Sequence, residues 1–186
     1  MTLHKLVAGM ALAALLPLSA MAAPITYDVN RTIAGVGSVV GTVTTDGTIG
    51  VLARNNVTGW ALTIDDGDGN GSFTLLGGIN SALLMLGNLL SADADSLAFD
   101  FSGTGFALFQ SPTTGSSVNW WCLEGANSGC AGYGQGETVN RFNEPTYAFR
   151  NTAQVIGTTG GTVPEPATLG LIGLALAGLA ATRRRA

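Results

Sequence analysis

Between residues 23 and 156, apolar side chains recur at every second position in short runs closed by Gly, Asp, Asn or Ser. A period of two sends alternate side chains to opposite faces of an extended chain, so such runs fold as half-buried strands. Runs 38–45 and 48–52 flank Asp46-Gly47. That dipeptide suits a tight turn because both central positions take positive φ, and the spacing predicts a hairpin there. Trp60, Leu62 and Ile64 alternate with Ala61 and Thr63 and give one inward face before the loop 65–71. Further strands are expected at 72–76, 81–86, 96–101, 105–110, 118–123, 146–150 and 153–157, with Leu97, Phe99 and Phe101 inward. Segment 79–90 holds two Leu pairs and Met85, which also suit a short helix, but Gly87 and Asn88 interrupt it and two strands with a turn is the preferred reading. Regularly spaced short strands with Gly-rich turns predict an all-β fold, a single sandwich- or barrel-like domain over 23–156. The absence of an internal repeat argues against a solenoid or propeller.

The two ends depart from this pattern. Residues 1–22 open with His4 and Lys5, run apolar through 6–18 and finish in Ala20-Met21-Ala22, the plan of a secretory signal peptide. Small side chains at Ala20 and Ala22 fit the shallow pockets of a signal peptidase, which places cleavage between Ala22 and Ala23. The competing reading is an uncut anchor. It is disfavoured because the run is too short to cross about 30 Å of hydrocarbon comfortably and contains Pro17. At the other end stand Val163-Pro164-Glu165-Pro166, an apolar run over 167–181, and Arg183, Arg184 and Arg185. The prolines hold the chain extended, where a processing enzyme can read it as a strand. The apolar run rises only about 22 Å as a helix, a marginal transmembrane helix that relies on snorkelling arginines. Those arginines favour the cytoplasmic side, which leaves 23–163 translocated.

Pro164-Glu165-Pro166, a short apolar helix and a terminal arginine cluster together resemble the PEP-CTERM sorting signal over 163–185. The resemblance implies that an integral-membrane exosortase cuts the tail in a Gram-negative bacterium that makes exopolysaccharide. It also implies transient anchoring in the inner membrane, followed by a place at the cell surface or in extracellular matrix. An ordinary single-pass anchor that is never cut is the alternative. The stretch 41–52, with Trp60 and 97–101 downstream, is similar to a body type common among PEP-CTERM proteins and implies no activity. The Gly/Thr stretch 157–162 reads as a flexible linker presenting the motif, which with its helix occupies 163–186.

The body between the signals has four basic residues, Arg31, Arg54, Arg141 and Arg150, against eleven acidic ones, a net charge of −7. It holds neither lysine nor histidine. Nucleic acid and anionic lipid are poor partners for such a surface, because phosphate binding draws on clustered Lys and Arg. Exopolysaccharide, signal peptidase and exosortase are the partners expected. The sole histidine, His4, leaves with the signal peptide, so neither a Ser-His-Asp nor a Cys-His arrangement can be assembled from the mature chain. Carboxylate pairs of the glycosidase type are formally open, but none stands out, and the chain is read as a non-enzyme without a cofactor.

Three local features bear on binding. Cys122 and Cys130 are an even pair eight positions apart in a chain expected to be exported, and are expected to form a disulfide. A redox-active pair is the other reading, disfavoured because the short Cys-x-x-Cys spacing is missing. Trp120 and Trp121 point to opposite faces of a strand. One is therefore core, while the other either covers the disulfide, the preferred reading, or offers a platform for a sugar ring. Asp66, Asp68 and Asn70, followed by Gly71, match the first half of a calcium-loop pattern, but position twelve is Gly77 where a bidentate acid belongs. A turn joining two strands is the favoured reading of that loop, with weak Ca2+ binding as its rival. Two function classes follow: a non-enzymatic structural or interaction protein, and a carbohydrate- or calcium-binding module.

Overall fold

The structure, a computed structural model, describes residues 22–160 apart from 114–117, 128, 131, 143 and 144. Residues 1–21 of the expected signal peptide, Ala20 among them, and the sorting segment with Val163, Pro164, Glu165, Pro166, Arg183, Arg184 and Arg185 lie outside the described residues. Within them the chain is all-β: β1 (Ile25–Ile33), β2 (Gly37–Thr45), β3 (Gly50–Val51), β4 (Val57–Asp65), β5 (Phe73–Leu76), β6 (Ala82–Leu86), β7 (Leu90–Ala92), β8 (Ser96–Asp100), β9 (Phe106–Ser111), β10 (Asn119–Glu124), β11 (Gly136–Arg141), β12 (Thr146–Phe149) and β13 (Ala153–Thr158). Among the described residues no helix is long and apolar enough to cross a membrane.

Two antiparallel sheets form a sandwich. The larger runs β3-β7-β8-β13-β1-β2-β4-β5 and the smaller β12-β11-β10-β9-β6. Alternation explains the larger one. Tyr27, Val29 and Ile33 on β1, Val39 and Val43 on β2, and Leu62 and Ile64 on β4 are all buried, while their neighbours in sequence face outward. Leu97, Phe99 and Phe101 are buried as expected. The core between the sheets centres on Phe109, stacked on Trp121 at 5.3 Å and met edge-on by Trp60 at 5.5 Å. Each such aromatic pair adds about 0.5–1.5 kcal/mol beyond the area it buries.

The hairpin expected at Asp46-Gly47 does not form. β2 pairs with β1 and β4, while β3 crosses to pair with β7. Asp46 instead accepts from the Thr48 N–H at 2.9 Å and from Asn56 Nδ2 at 2.9 Å, which clasps a wide loop leading to a 3-10 turn at Arg54–Asn56. An Asx turn satisfies the same dipeptide without reversing the strand. The first tight hairpin is one step earlier, at Ala34-Gly35-Val36 between β1 and β2. There Ala34 (φ 50°) and Gly35 (φ 80°) are left-handed and the Val36 N–H donates to the Ile33 carbonyl at 3.2 Å.

Segment 79–90 contains the end of one sheet and leads into the other: β6 pairs with β9 in the smaller sheet, and β7 pairs with β3 and β8 in the larger. Its glycine turn is therefore a crossover between layers. At the C-terminal end β13 continues through Thr158, with Gly157 packed against Tyr27, so Gly157 and Thr158 belong to the body rather than to a linker.

Candidate functional site

The smaller sheet gathers most of the polar chemistry. Every residue of β11 is buried, although its sequence Gly-Glu-Thr-Val-Asn-Arg is largely polar. Its inward positions are Glu137, Val139 and Arg141. Its outward positions are covered by the loop that follows β10, held by the Cys122–Cys130 disulfide, by Gln135 Nε2 donating to the Phe101 carbonyl at 2.7 Å, and by Tyr133 stacked near Tyr147 at 6.1 Å.

Glu137 is a fully buried acid on the inner face of β11. Arg31, the one charged residue on the inward face of β1, reaches it through Nε at 3.1 Å and Nη2 at 2.6 Å. The Trp121 indole N–H donates to the same carboxylate at 3.1 Å, and Arg150 Nε stands 3.8 Å away. The remaining Arg31 donors reach Gln154 Oε1 and the Val155 carbonyl. This bidentate pair fills the gap where β1 and β13 part beyond the pairing of Asp28 with Thr158. Asp28, Asn30 and Thr158 line a shallow cleft of about 120 Å³ on that seam. Sequence reasoning passed over both Arg31 and Glu137. The available signal was an arginine at an inward position of an alternating strand, which demands a buried acid as partner.

Trp120 and Trp121 diverge as alternation requires. Trp121 is fully buried with its N–H engaged, so it cannot serve as a stacking platform. Trp120 is partly exposed on the outer face, the same face as Cys122, between Gln110 of β9 and Asn140 of β11 in register. Asn140 spends its amide donor on the Val118 carbonyl at 2.8 Å. Cys122, Cys130 and Glu124 bring ligand-type atoms within 4.8 Å of one another, but both sulfurs are consumed by the disulfide.

Asp66, Asp68 and Asn70 form a folded loop knit by hydrogen bonds among themselves and to Arg141. Asp66 is buried; its Oδ2 accepts from the Arg141 backbone N–H at 2.7 Å and its Oδ1 from the Asp68 N–H at 3.4 Å. Asp68 accepts from the Asn70 N–H at 2.7 Å and, through its other oxygen, from Asn70 Nδ2. The carbonyls of Asn70 and Gly71 both receive Arg141 Nη1, at 2.8 Å for Asn70. Thr146 Oγ1 donates to the Asp66 carbonyl at 2.5 Å. Burial, reinforced by a hydrogen bond from Asp68, raises the Asp66 carboxyl above the usual carboxylate range; the Asn70 amide and then its other donors hold Asp68 below it.

The comparisons bear on the tail alone. No curated protein and no solved structure matches the chain. Residues 162–185 match the PEP-CTERM protein-sorting motif, so the chain carries the mark of an exported protein sorted by an exosortase.

Proposed function

We propose that the mature chain is a non-enzymatic structural or interaction protein of the cell surface or exopolysaccharide matrix, delivered there by exosortase processing. The observation that carries this reading is the sorting motif at 162–185, ahead of which the body commits one of its buried acids, Glu137, to Arg31 and Trp121 and another, Asp66, to the Arg141 backbone N–H. A carboxylate so engaged is a structural counter-ion and a poor general base. The reading includes removal of the leader after Ala22 by signal peptidase and of the tail by exosortase. Mass spectrometry of the protein from an exosortase-positive host and from a strain lacking the exosortase tests it. A mature mass lacking the tail in the first strain and retaining it in the second is expected. Identical masses would leave a plain anchor.

A second reading, a carbohydrate-binding module, is favoured by one observation: Trp120 lies partly exposed between two amide side chains, Gln110 and Asn140, on the outer face of the smaller sheet. A partly exposed aromatic ring suits the apolar face of a sugar, while the two amides, both buried, hold the ring's surroundings in place. Titration with the host's exopolysaccharide, followed by tryptophan fluorescence in wild type and Trp120→Ala, separates the two readings. A saturable change lost in the variant supports the module.

A further inference from the structure

The loop after β4 has the beginning of a calcium loop, yet a cation already sits on it. We infer that the Asp66–Gly71 loop is a cation loop whose cation is the guanidinium of Arg141, so that its order is built into the fold instead of being drawn from a divalent ion.

Four observations support this. First, the backbone carbonyls of Asn70 and Gly71 turn to one atom, Arg141 Nη1, as carbonyls turn to a metal. Second, Asp68, held below the usual carboxylate range first by the Asn70 N–H, is drawn down further by the charge of Arg141, so the guanidinium faces an ionised carboxylate of the loop as well as its carbonyls. Third, Arg141 is 94 % buried by its 6 % exposure, and its Nε has no partner among the described residues. An unpartnered buried donor is costly, and the gain that offsets it is delivery of the guanidinium to the loop, with the Phe142 ring 5.0 Å from the guanidinium carbon. Fourth, the twelfth position is closed to an acid. Gly77 lies against the Trp60 ring, where an added Cβ would meet Cδ2 at 2.9 Å. Calcium takes six to eight oxygens, and this loop has lost its bidentate one to core packing. A guanidinium, with directed donors, needs fewer.

The inference is independent of what the sorted body binds. An exported protein built this way keeps its loop where divalent ions are scarce or chelated.

The test uses the mature protein purified from its host, in wild type and Arg141→Met, which keeps the packing stem and removes the charge. Thermal melting is read in chelator and in about 10 mM calcium, well above the dissociation constants of weak extracellular sites. The wild-type midpoint should be the same in both. R141M should melt lower in chelator and recover at least half of the loss in calcium, and adding D68N should abolish the recovery. A calcium-stabilised wild type, or an R141M protein blind to calcium, overturns the inference. Should R141M fail to accumulate, Arg141→Lys decides: it keeps a cation, so it should accumulate and stay blind to calcium. Loss of R141K alongside R141M would show that the charge is not what the loop uses.

Discussion

The two sheets solve the same burial problem by opposite means. In the larger one, β1, β2 and β4 alternate, and hydrophobic side chains fill the inner face while Thr and Asn line the outer. In the smaller one, β11 is buried on both faces with only Val139 as a large apolar residue. Its polar groups are met by residues far away in sequence: Arg31 for Glu137, separated by 106 positions, and Asp66 for the Arg141 amide, separated by 75. The larger sheet is held by an area term that tolerates shape changes; the smaller shares that apolar core through Phe109 and Trp121, but its β11 is held by a few directed contacts that do not.

Removing one side of the central ion pair is the most severe way to break this contrast. Glu137→Ala leaves the Arg31 guanidinium and the Trp121 N–H without their acceptor inside the core, and loss of one partner of a buried pair costs about 3–5 kcal/mol. Chemical denaturation should show a midpoint shift of that order. The double change Arg31→Met with Glu137→Met should recover much of it, because apolar replacements of similar volume remove the desolvation penalty as well. If the double variant is as unstable as the single one, geometry rather than charge dominates the site.

Legibility follows the same division. Trp60, Leu62 and Ile64 on β4, and Leu97, Phe99 and Phe101 at β8, were readable because each reports its own burial through local period. The disulfide was readable from spacing and the expectation of export, and the structure forms it. β11 left no such trace: Gly-Glu-Thr-Val-Asn-Arg has a loop's composition, and what makes it a strand is its ladder with β10 and β12, while the partners that satisfy its buried polar groups, Arg31 and Asp66, lie far off in sequence. β1 was missed for a related reason, since Arg31 interrupts the inward series Ile25, Tyr27, Val29 and Ile33. Asp46-Gly47 misled because the dipeptide encodes a turn conformation and not a strand reversal; Asn56, ten residues on, decides which.

Cutting the staple is the next effect in size. Cys122→Ser with Cys130→Ser frees the loop that covers the outer positions of β11, and the chain-entropy argument for so short a closed loop gives about 2–3 kcal/mol. The loss should fall on the smaller sheet, where Thr138 and Asn140 become wet. Hydrogen exchange at 136–141 checks this: protection should fall there first and remain on β2 and β4. Uniform loss across both sheets would mean that the loop is not the cover we describe.

Acid draws a second contrast, among the carboxyls in the larger sheet's own turns, Asp66 between β4 and β5 included. In the larger sheet and its turns, Asp46 is held below the ordinary carboxylate range chiefly by Asn56, Asp93 by the Asp95 amide and Asp100 by the Ser102 hydroxyl. A depressed carboxyl contributes stability that is present above its unfolded value near 3.8 and lost as pH falls through its folded value. Asp66, raised by burial, has the opposite sign: its contribution is present below 3.8 and lost as pH rises through its folded value. Stability should therefore drop below about pH 4, less steeply in Asp93→Asn, while Asp66→Asn should leave that acid limb as steep as in wild type. A flatter limb in D66N would reverse the assignment.

The smallest expected effect lies in the hairpin that opens the larger sheet. Ala34 holds φ at 50°, a left-handed conformation that its Cβ opposes, and it is exposed with no packing to lose. Asparagine tolerates this region better because its short polar side chain can bond to the local backbone, and it is favoured with a following glycine in such turns. Ala34→Asn should stabilise the protein by roughly 0.5–1 kcal/mol, the size of a conformational term without a contact. The gain should appear as a higher denaturation midpoint with the slope unchanged, since no surface is added or removed. It should also be independent of Glu137, so that A34N adds its full increment in an E137A background, as expected of sites that share no partner. A gain that vanishes in that background would mean that the β1–β2 hairpin and the Arg31–Glu137 pair form one cooperative unit, and that the two sheets are less separable than their chemistry suggests.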